Sequence, residues 1–156
     1  MPNVARSRSI PTTPERVWAL VADPHNLPRW WPETVRVEDV RGEPGARRSR
    51  FTQVFETKKG TPVRADFRCV AATAGRRLVW EQELEGTPFE RFLRDSELEL
   101  RLDPGEASTK VTVEGRRRMR GMSRLGSAMM RRATGRTLTD ALAGIEEALC
   151  GAPEAT

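Results

Sequence analysis

The spacing of apolar positions changes twice along the chain, which divides it into three regions. First, VARSRSI (Val4 to Ile10) reads as a short strand. Thr13 then offers an N-capping hydroxyl, Pro14 suits the first helical position, and Glu15 favours the positive end of a helix dipole. Val17, Leu20 and Val21 fall at i, i+3 and i+4, so a helix starting at Pro14 buries one face, with Trp18 beside it and Arg16 outward. Asp23-Pro24 ends it. A second, very short helical turn holds Pro28-Arg29-Trp30-Trp31, and Pro32 forces Trp31 into extended backbone by steric clash.

From Thr34 to about Met119 the period becomes two. GEPG (Gly42 to Gly45), KKG (Lys58 to Gly60), AGR (Ala74 to Arg76), EGTP (Glu85 to Pro88) and DPGE (Asp103 to Glu106) supply turn residues that delimit six strands. Alternation assigns Phe51, Gln53 and Phe55 to one inner face, Val63, Ala65, Phe67, Cys69 and Ala71 to the next, and Leu78, Trp80, Gln82 and Leu84 to a third. Arg64, Asp66, Arg68, Glu81 and Glu83 take the outer side. The segment Phe89 to Leu102 changes register, because Phe89 and Leu93 are odd-numbered and Phe92, Leu98, Leu100 and Leu102 even. A bulge around Arg94-Asp95-Ser96 reconciles them, and an irregular edge strand explains it more simply than a re-aimed functional side chain.

From about Ser123 to Leu149 the helical period returns, with Leu138, Ala141, Leu142, Ile145, Ala148 and Leu149 on one stripe and Gly151 and Pro153 as stop signals. Gly126 and Gly135 weaken the first half by about 1 kcal/mol each relative to alanine. At 1.5 Å per residue this helix spans about 40 Å, enough to cover one face of a twisted seven-stranded sheet. The expected class is α+β: a curved antiparallel sheet wrapped around a long C-terminal helix, with two short helices between strands 1 and 2. A helix about 10 Å wide does not fill a wider sheet, so a cavity between them is expected. The pattern predicts one domain over residues 1–156, with an ordered core of about 3–150.

Charge alters this picture little. Lys and Arg number 27 against 22 Asp and Glu, a net +5, which raises the question of nucleic acid. Nearly all the cations are arginine, the only lysines being Lys58, Lys59 and Lys110. The densest basic run, GRRRMRGMSR from Gly115 to Arg124, has no aromatic residue to stack on a base, and reads as a solvated strand end and turn. No nucleic-acid partner is therefore expected. Two distant cysteines, Cys69 and Cys150, give neither a disulfide framework nor zinc-site spacing. The N-terminal residues lack a signal-type apolar run and no window is long enough to span a bilayer, so a cytoplasmic protein without stable membrane insertion is expected. Oligomeric state stays open.

Candidate chemistry is sparse. The stretch HNLPRWWP (His25 to Pro32) holds the only histidine and two of four tryptophans. His25 has no acidic or thiol partner at a recognisable spacing, so it reads as an exposed loop residue rather than a catalyst. No metal site and no phosphate-binding glycine loop is present, and no cofactor is expected. Gln53 and Gln82 sit among large apolar neighbours, where an unpaired amide costs about 1–3 kcal/mol. They bond to each other, to threonine or to buried water, or they orient a ligand's polar group. Met129 and Met130 suit either an adaptable cavity mouth or plain core filling.

The segment IPTTPERVWALVADPHNLPRWWPETVRVEDV resembles the START-like, Bet v 1-like helix-grip superfamily (SRPBCC), in particular its polyketide cyclase/dehydrase and lipid-transport branch. The resemblance rests on Pro14-Glu15-Arg16-Val17-Trp18, Asp23-Pro24, Asn26-Leu27-Pro28, Trp30 and Val37-Glu38. It implies a curved sheet gripping the C-terminal helix around a hydrophobic cavity, with Trp30 on the inner side and Trp31 at the rim. It implies a fold more firmly than a function, because members bind lipids, sterols, quinones, hormones and polyketides and only some catalyse.

Together these readings predict a protein that binds, transports or sequesters an apolar small molecule such as a lipid, polyketide or quinone. The expected ligand-binding residues are Trp30, Phe51, Gln53, Phe55, Phe67, Cys69, Trp80, Gln82, Met129, Leu138 and Leu142. Two alternatives stand beside this one. The first is a cyclase or aromatase in which Gln53, Gln82, Arg91 or Asp95 assist proton transfer; the second is an interaction module whose arginine-rich rim meets an acidic protein or anionic membrane.

Overall fold

The computed structural model describes residues 3–121 and 124–151. Met122 and Ser123, where the basic run meets the expected helix start, lie outside these residues, as does the expected stop signal Pro153. Seven antiparallel strands form one sheet: β1 (Asn3–Ile10), β2 (Thr34–Arg41), β3 (Arg50–Glu56), β4 (Pro62–Thr73), β5 (Arg77–Glu83), β6 (Leu93–Pro104) and β7 (Thr109–Met119). Their spatial order is β1-β7-β6-β5-β4-β3-β2, so β1 and β2 form opposite edges. Between them run α1 (Pro14–Val21), a 3-10 turn (Pro24–Asn26) and α2 (Leu27–Trp30), and the chain closes with α3 (Arg124–Cys150). Because β1 and β2 are at opposite edges, this crossover must traverse the sheet, and α2 packs against α3 as it does so. This is the helix-grip architecture expected from the sequence.

The local chemistry of the crossover follows the residues. Thr13 Oγ1 accepts from Arg16 N–H at 3.3 Å, and Val17, Leu20 and Val21 are buried. Asp23 accepts from His25 N–H at 3.0 Å and so caps the 3-10 turn. Trp31 is extended, with φ −88° and ψ 126°, as a residue preceding proline must be. The close approach of α2 to α3 requires a glycine. A Cβ at Gly144 would overlap the Trp30 carbonyl oxygen and stand 2.9 Å from Trp30 Cα, and that backbone has no rotamer with which to yield.

Between sheet and α3 lies the apolar core: Ile10, Val17, Leu27, Trp30, Leu78, Leu100, Val111, Val113, Leu138, Ala141, Leu142 and Ile145 are all nearly sealed from solvent. Phe51, Gln53 and Phe55 share the inner face, as alternation predicts, with Ala65 and Phe67 opposite them on β4. Two details differ from expectation. A bulge between Cys69 and Ala71 advances the phase of β4, so Ala71 pairs with outward-facing Val79, and Ala72 takes the inner place beside Leu78. Phe89 is not in a strand; Pro88–Arg91 form a 3-10 turn, and β6 begins at Leu93 with its irregularity between Leu93 and Asp95. That strand is interior rather than an edge, so edge fraying does not explain the bulge.

The outer face carries an ion-pair lattice. Arg64 pairs with Glu38 at 2.8 Å, Arg68 with Glu81 at 3.1 Å and Arg50 with Glu83 at 3.4 Å. At its centre Glu99 receives Arg77 at 3.0 Å, Arg101 at 3.0 Å and Arg116 at 2.9 Å. Their stems cover it, leaving it only 5% exposed. Burial by itself raises the Glu99 carboxyl, but hydrogen bonds from Arg77, Arg101 and Arg116 outweigh burial and bring it down to about 2. Much of the arginine excess is therefore engaged in the sheet's own lattice.

Candidate functional site

The sheet is wider than α3, and the space left between them is a cavity of about 390 Å³. Its floor comes from β3, β4 and β5: Phe51, Gln53, Phe55, Ala65, Phe67, Trp80 and Gln82. Leu93, Ser96 and Leu98 of β6 and Gly115, Arg117 and Met119 of β7 continue it, and α3 contributes Met130, Ala133, Thr134, Thr137, Leu138 and Asp140 as roof. Leu27, Trp31, Pro32 and Glu33 close one end, while Phe89 and Phe92 border another. Exposed lining residues, among them Glu33, Phe92, Ala133 and Asp140, mark where the cavity reaches solvent.

Aromatic rings shape the interior. Phe51 and Phe67 stack with centroids 5.4 Å apart and planes 16° from parallel, and Trp80 meets Phe51 edge-on at 5.0 Å. Gln53 is satisfied within the protein, donating from Nε2 to Thr34 Oγ1 at 2.7 Å, whereas Gln82 shows no side-chain bond among the described residues. Thus the two buried amides divide: Gln53 serves structure, and Gln82 turns its amide to the cavity wall.

Of the residues expected to bind ligand, Phe51, Gln53, Phe55, Phe67, Trp80, Gln82 and Leu138 line the cavity. Trp30, Cys69, Met129 and Leu142 do not. Trp30, 2% exposed, is a core residue whose Nε1 has no partner, and it meets Trp31 edge-on at 5.7 Å. The half-buried Trp31 lines the cavity in its place, so the depth order of the two indoles agrees with the sequence reading while the lining role passes to the shallower one. Cys69 and Leu142 belong to the core, and burial raises the Cys69 thiol away from reactivity. Met129 is 65% exposed because it precedes Leu138 by nine residues, half a turn around the helix; Met130 is the methionine at the cavity.

Other candidates also move. Arg91 and Asp95 are exposed and off the cavity, and Asp95 pairs outward with Arg118 at 3.4 Å. His25 does have an acidic partner, contrary to expectation: its Nδ1 lies 2.9 Å from Asp23 Oδ1, on an exposed turn away from the cavity. Among the described residues no three His, Cys, Asp or Glu converge as a metal cluster. A charged cavity-lining residue missed in the sequence is Arg117. Extending the inward phase of Val111 and Val113 by two and four residues reaches Gly115 and Arg117, so periodicity contained the signal that the surrounding charge obscured.

A curved antiparallel sheet closed over one long helix, with a partly apolar cavity between them, defines the helix-grip class. Solved structures with this fold include a START superfamily protein from Mycobacterium smegmatis, 15% identical, with a TM-score of 0.75 over 94% of this chain and 96% of that one. A protein from Thermus thermophilus is 23% identical, with a TM-score of 0.74 over 98% of this chain and all of the other. The di-domain ARO/CYC BexL of the BE-7585A biosynthetic pathway is 24% identical, with a TM-score of 0.75 over 94% of this chain. The match spans 46% of that longer protein, a little under half its length. At these identities the likeness is one of fold. Among curated proteins none matches the chain. The chain belongs to the polyketide cyclase/dehydrase and lipid transport family, whose model matches residues 1–149. Membership supports hydrophobic-ligand binding or cyclase chemistry at the level of the family. No helix among the described residues is long and apolar enough to cross a membrane.

Proposed function

We propose that this protein binds a hydrophobic small molecule in the cavity between its sheet and α3, and carries or sequesters it. The observation behind this reading is the cavity itself: about 390 Å³, within the 300–1,000 Å³ typical of small-molecule sites and floored by Phe51, Phe67 and Trp80. Apolar area taken from water contributes about 25 cal/mol per Å², so a ring system or alkyl chain laid over these side chains gains several kcal/mol before any polar contact is made. Family membership supports the same ligand class.

The interaction-module reading loses ground, because arginines of the outer face are engaged with Glu81, Glu83, Glu97, Glu99 and Glu114. The binding reading is tested by native mass spectrometry of the purified protein, followed by extraction of whatever copurifies. A one-to-one apolar adduct released by organic solvent supports it. A protein that carries nothing and takes up no added alkyl or polycyclic compound refutes it.

A further inference from the structure

One row of side chains crosses the cavity floor from aromatic to polar. Phe51 on β3 pairs with Phe67 on β4, and Phe67 with Gln82 on β5. Gln82 follows Glu81, whose partner is Glu97, so it stands level with Ser96 on β6, and Ser96 pairs with Arg117 on β7. All five line the cavity. With strands about 4.8 Å apart, the path from Phe67 to Arg117 covers about 14 Å, the length of a small polycyclic or medium-chain molecule.

Arg117 is the unusual member. Its side chain is exposed, but on the inward phase of β7 it lines the space between that strand and the first half of α3, where desolvation by the surrounding protein pushes its guanidinium below the ordinary arginine value. Its neighbours Arg116 and Arg101 hold carboxylates, whereas Arg117 has no hydrogen bond or ion pair among the described residues. Glu99 and Glu114 stand on adjacent strand positions but are taken by Arg77, Arg101 and Arg116 on the opposite face, and Glu97, which also borders the cavity, is paired with Arg116 at 3.6 Å. Asp140 and Glu33 also line the cavity, yet Asp140 lies six residues, about 9 Å along α3, beyond the Thr134 that borders Arg117. A guanidinium that faces an apolar-walled cavity with five donors and no protein acceptor presents charge-assisted donors to an incoming anion. Ser96 and Gln82 add an O–H and an N–H donor in the same row, so this end of the floor suits a group rich in acceptor oxygens.

We propose that Arg117 is the anion-recognition point of the cavity, and that the ligand is an amphipathic acid. Its apolar body covers Phe51 and Phe67, and one acidic oxygen group (carboxylate, phenolate or enolate) lies against Arg117 and Ser96. This rests on the binding reading above and adds the ligand's charge and orientation to it.

Two near-isosteric fluorescent probes separate the two claims. 8-Anilinonaphthalene-1-sulfonate carries an anionic group, and N-phenyl-1-naphthylamine is the same ring system without it. Both are titrated into the wild type, Arg117→Met and Arg117→Lys, with circular dichroism confirming that each variant is folded. The expected result is roughly a tenfold or greater loss of sulfonate-probe affinity in Arg117→Met, partial recovery in Arg117→Lys, and neutral-probe affinity within about twofold throughout. Unchanged sulfonate-probe affinity in Arg117→Met overturns the proposal while neutral-probe binding leaves the cavity reading standing. Failure of the wild type to bind either probe overturns both.

Discussion

Replacing Glu99 by glutamine removes the charge at the centre of the outer ion-pair lattice without changing side-chain size. Three guanidinium groups lie within 3.0 Å of the carboxylate, and each loses a charged acceptor in the variant. The carboxyl falls from its ordinary 4.5 to about 2 on folding, a drop corresponding to roughly 3 kcal/mol if fully expressed. Solvent around the half-exposed Arg77 and Arg101 screens part of that, leaving about 1–2 kcal/mol. A depressed pKa stabilises fully above the unfolded value and loses that stabilisation as pH falls toward the folded one. The difference between wild type and Glu99→Gln, measured by urea denaturation, is therefore expected to be complete at pH 7 and to shrink to roughly half or less at pH 3. An equal difference at both pH values, or a variant as stable as wild type at pH 7, refutes the assignment.

Gly144→Ala is expected to cost about 1–3 kcal/mol by forcing α3 away from the Trp30 backbone, and thermal denaturation reads it directly. An unchanged midpoint contradicts the close approach. Trp30 and Trp31 should separate cleanly: Trp30→Ala empties a buried core site and costs about 3–5 kcal/mol, whereas Trp31→Ala leaves the fold near wild-type stability and weakens binding of a neutral aromatic probe. Equal stability losses in the two variants would contradict their placement.

The sequence carried most of the fold because period-two alternation marks which side of a strand is inward. Phe51, Gln53, Phe55, Phe67, Trp80 and Gln82 were assigned by that rule alone and reach the cavity floor. What it could not show were shifts of phase. The bulge at Cys69 exchanges Ala71 for Ala72, and the 3-10 turn at Pro88–Arg91 places Phe89 beside Phe92, rings 5.9 Å apart, off the strand. The bulge arises from pairing with β5, which local spacing does not encode, and the turn is a local 3-10 turn closed by Glu90 N–H to the Thr87 carbonyl and Phe92 N–H to the Phe89 carbonyl, which interrupts the period-two reading. Met129 failed for a simpler reason, since adjacent helical residues differ by 100° and only Met130 keeps phase with the buried stripe. Arg117 was hidden by composition: within GRRRMRG every second arginine joins the outer lattice, and the one between them turns inward.

The central claim is that the space beneath α3 binds an apolar molecule, and occluding it is the most direct test. Ala65 is buried on the cavity floor opposite Gln53, so Ala65→Trp places an indole where the ligand body would lie. Titration of N-phenyl-1-naphthylamine is expected to give saturable one-to-one binding to the wild type and none to a folded Ala65→Trp variant. No saturable binding by the wild type, or equal binding by the folded variant, would contradict the account.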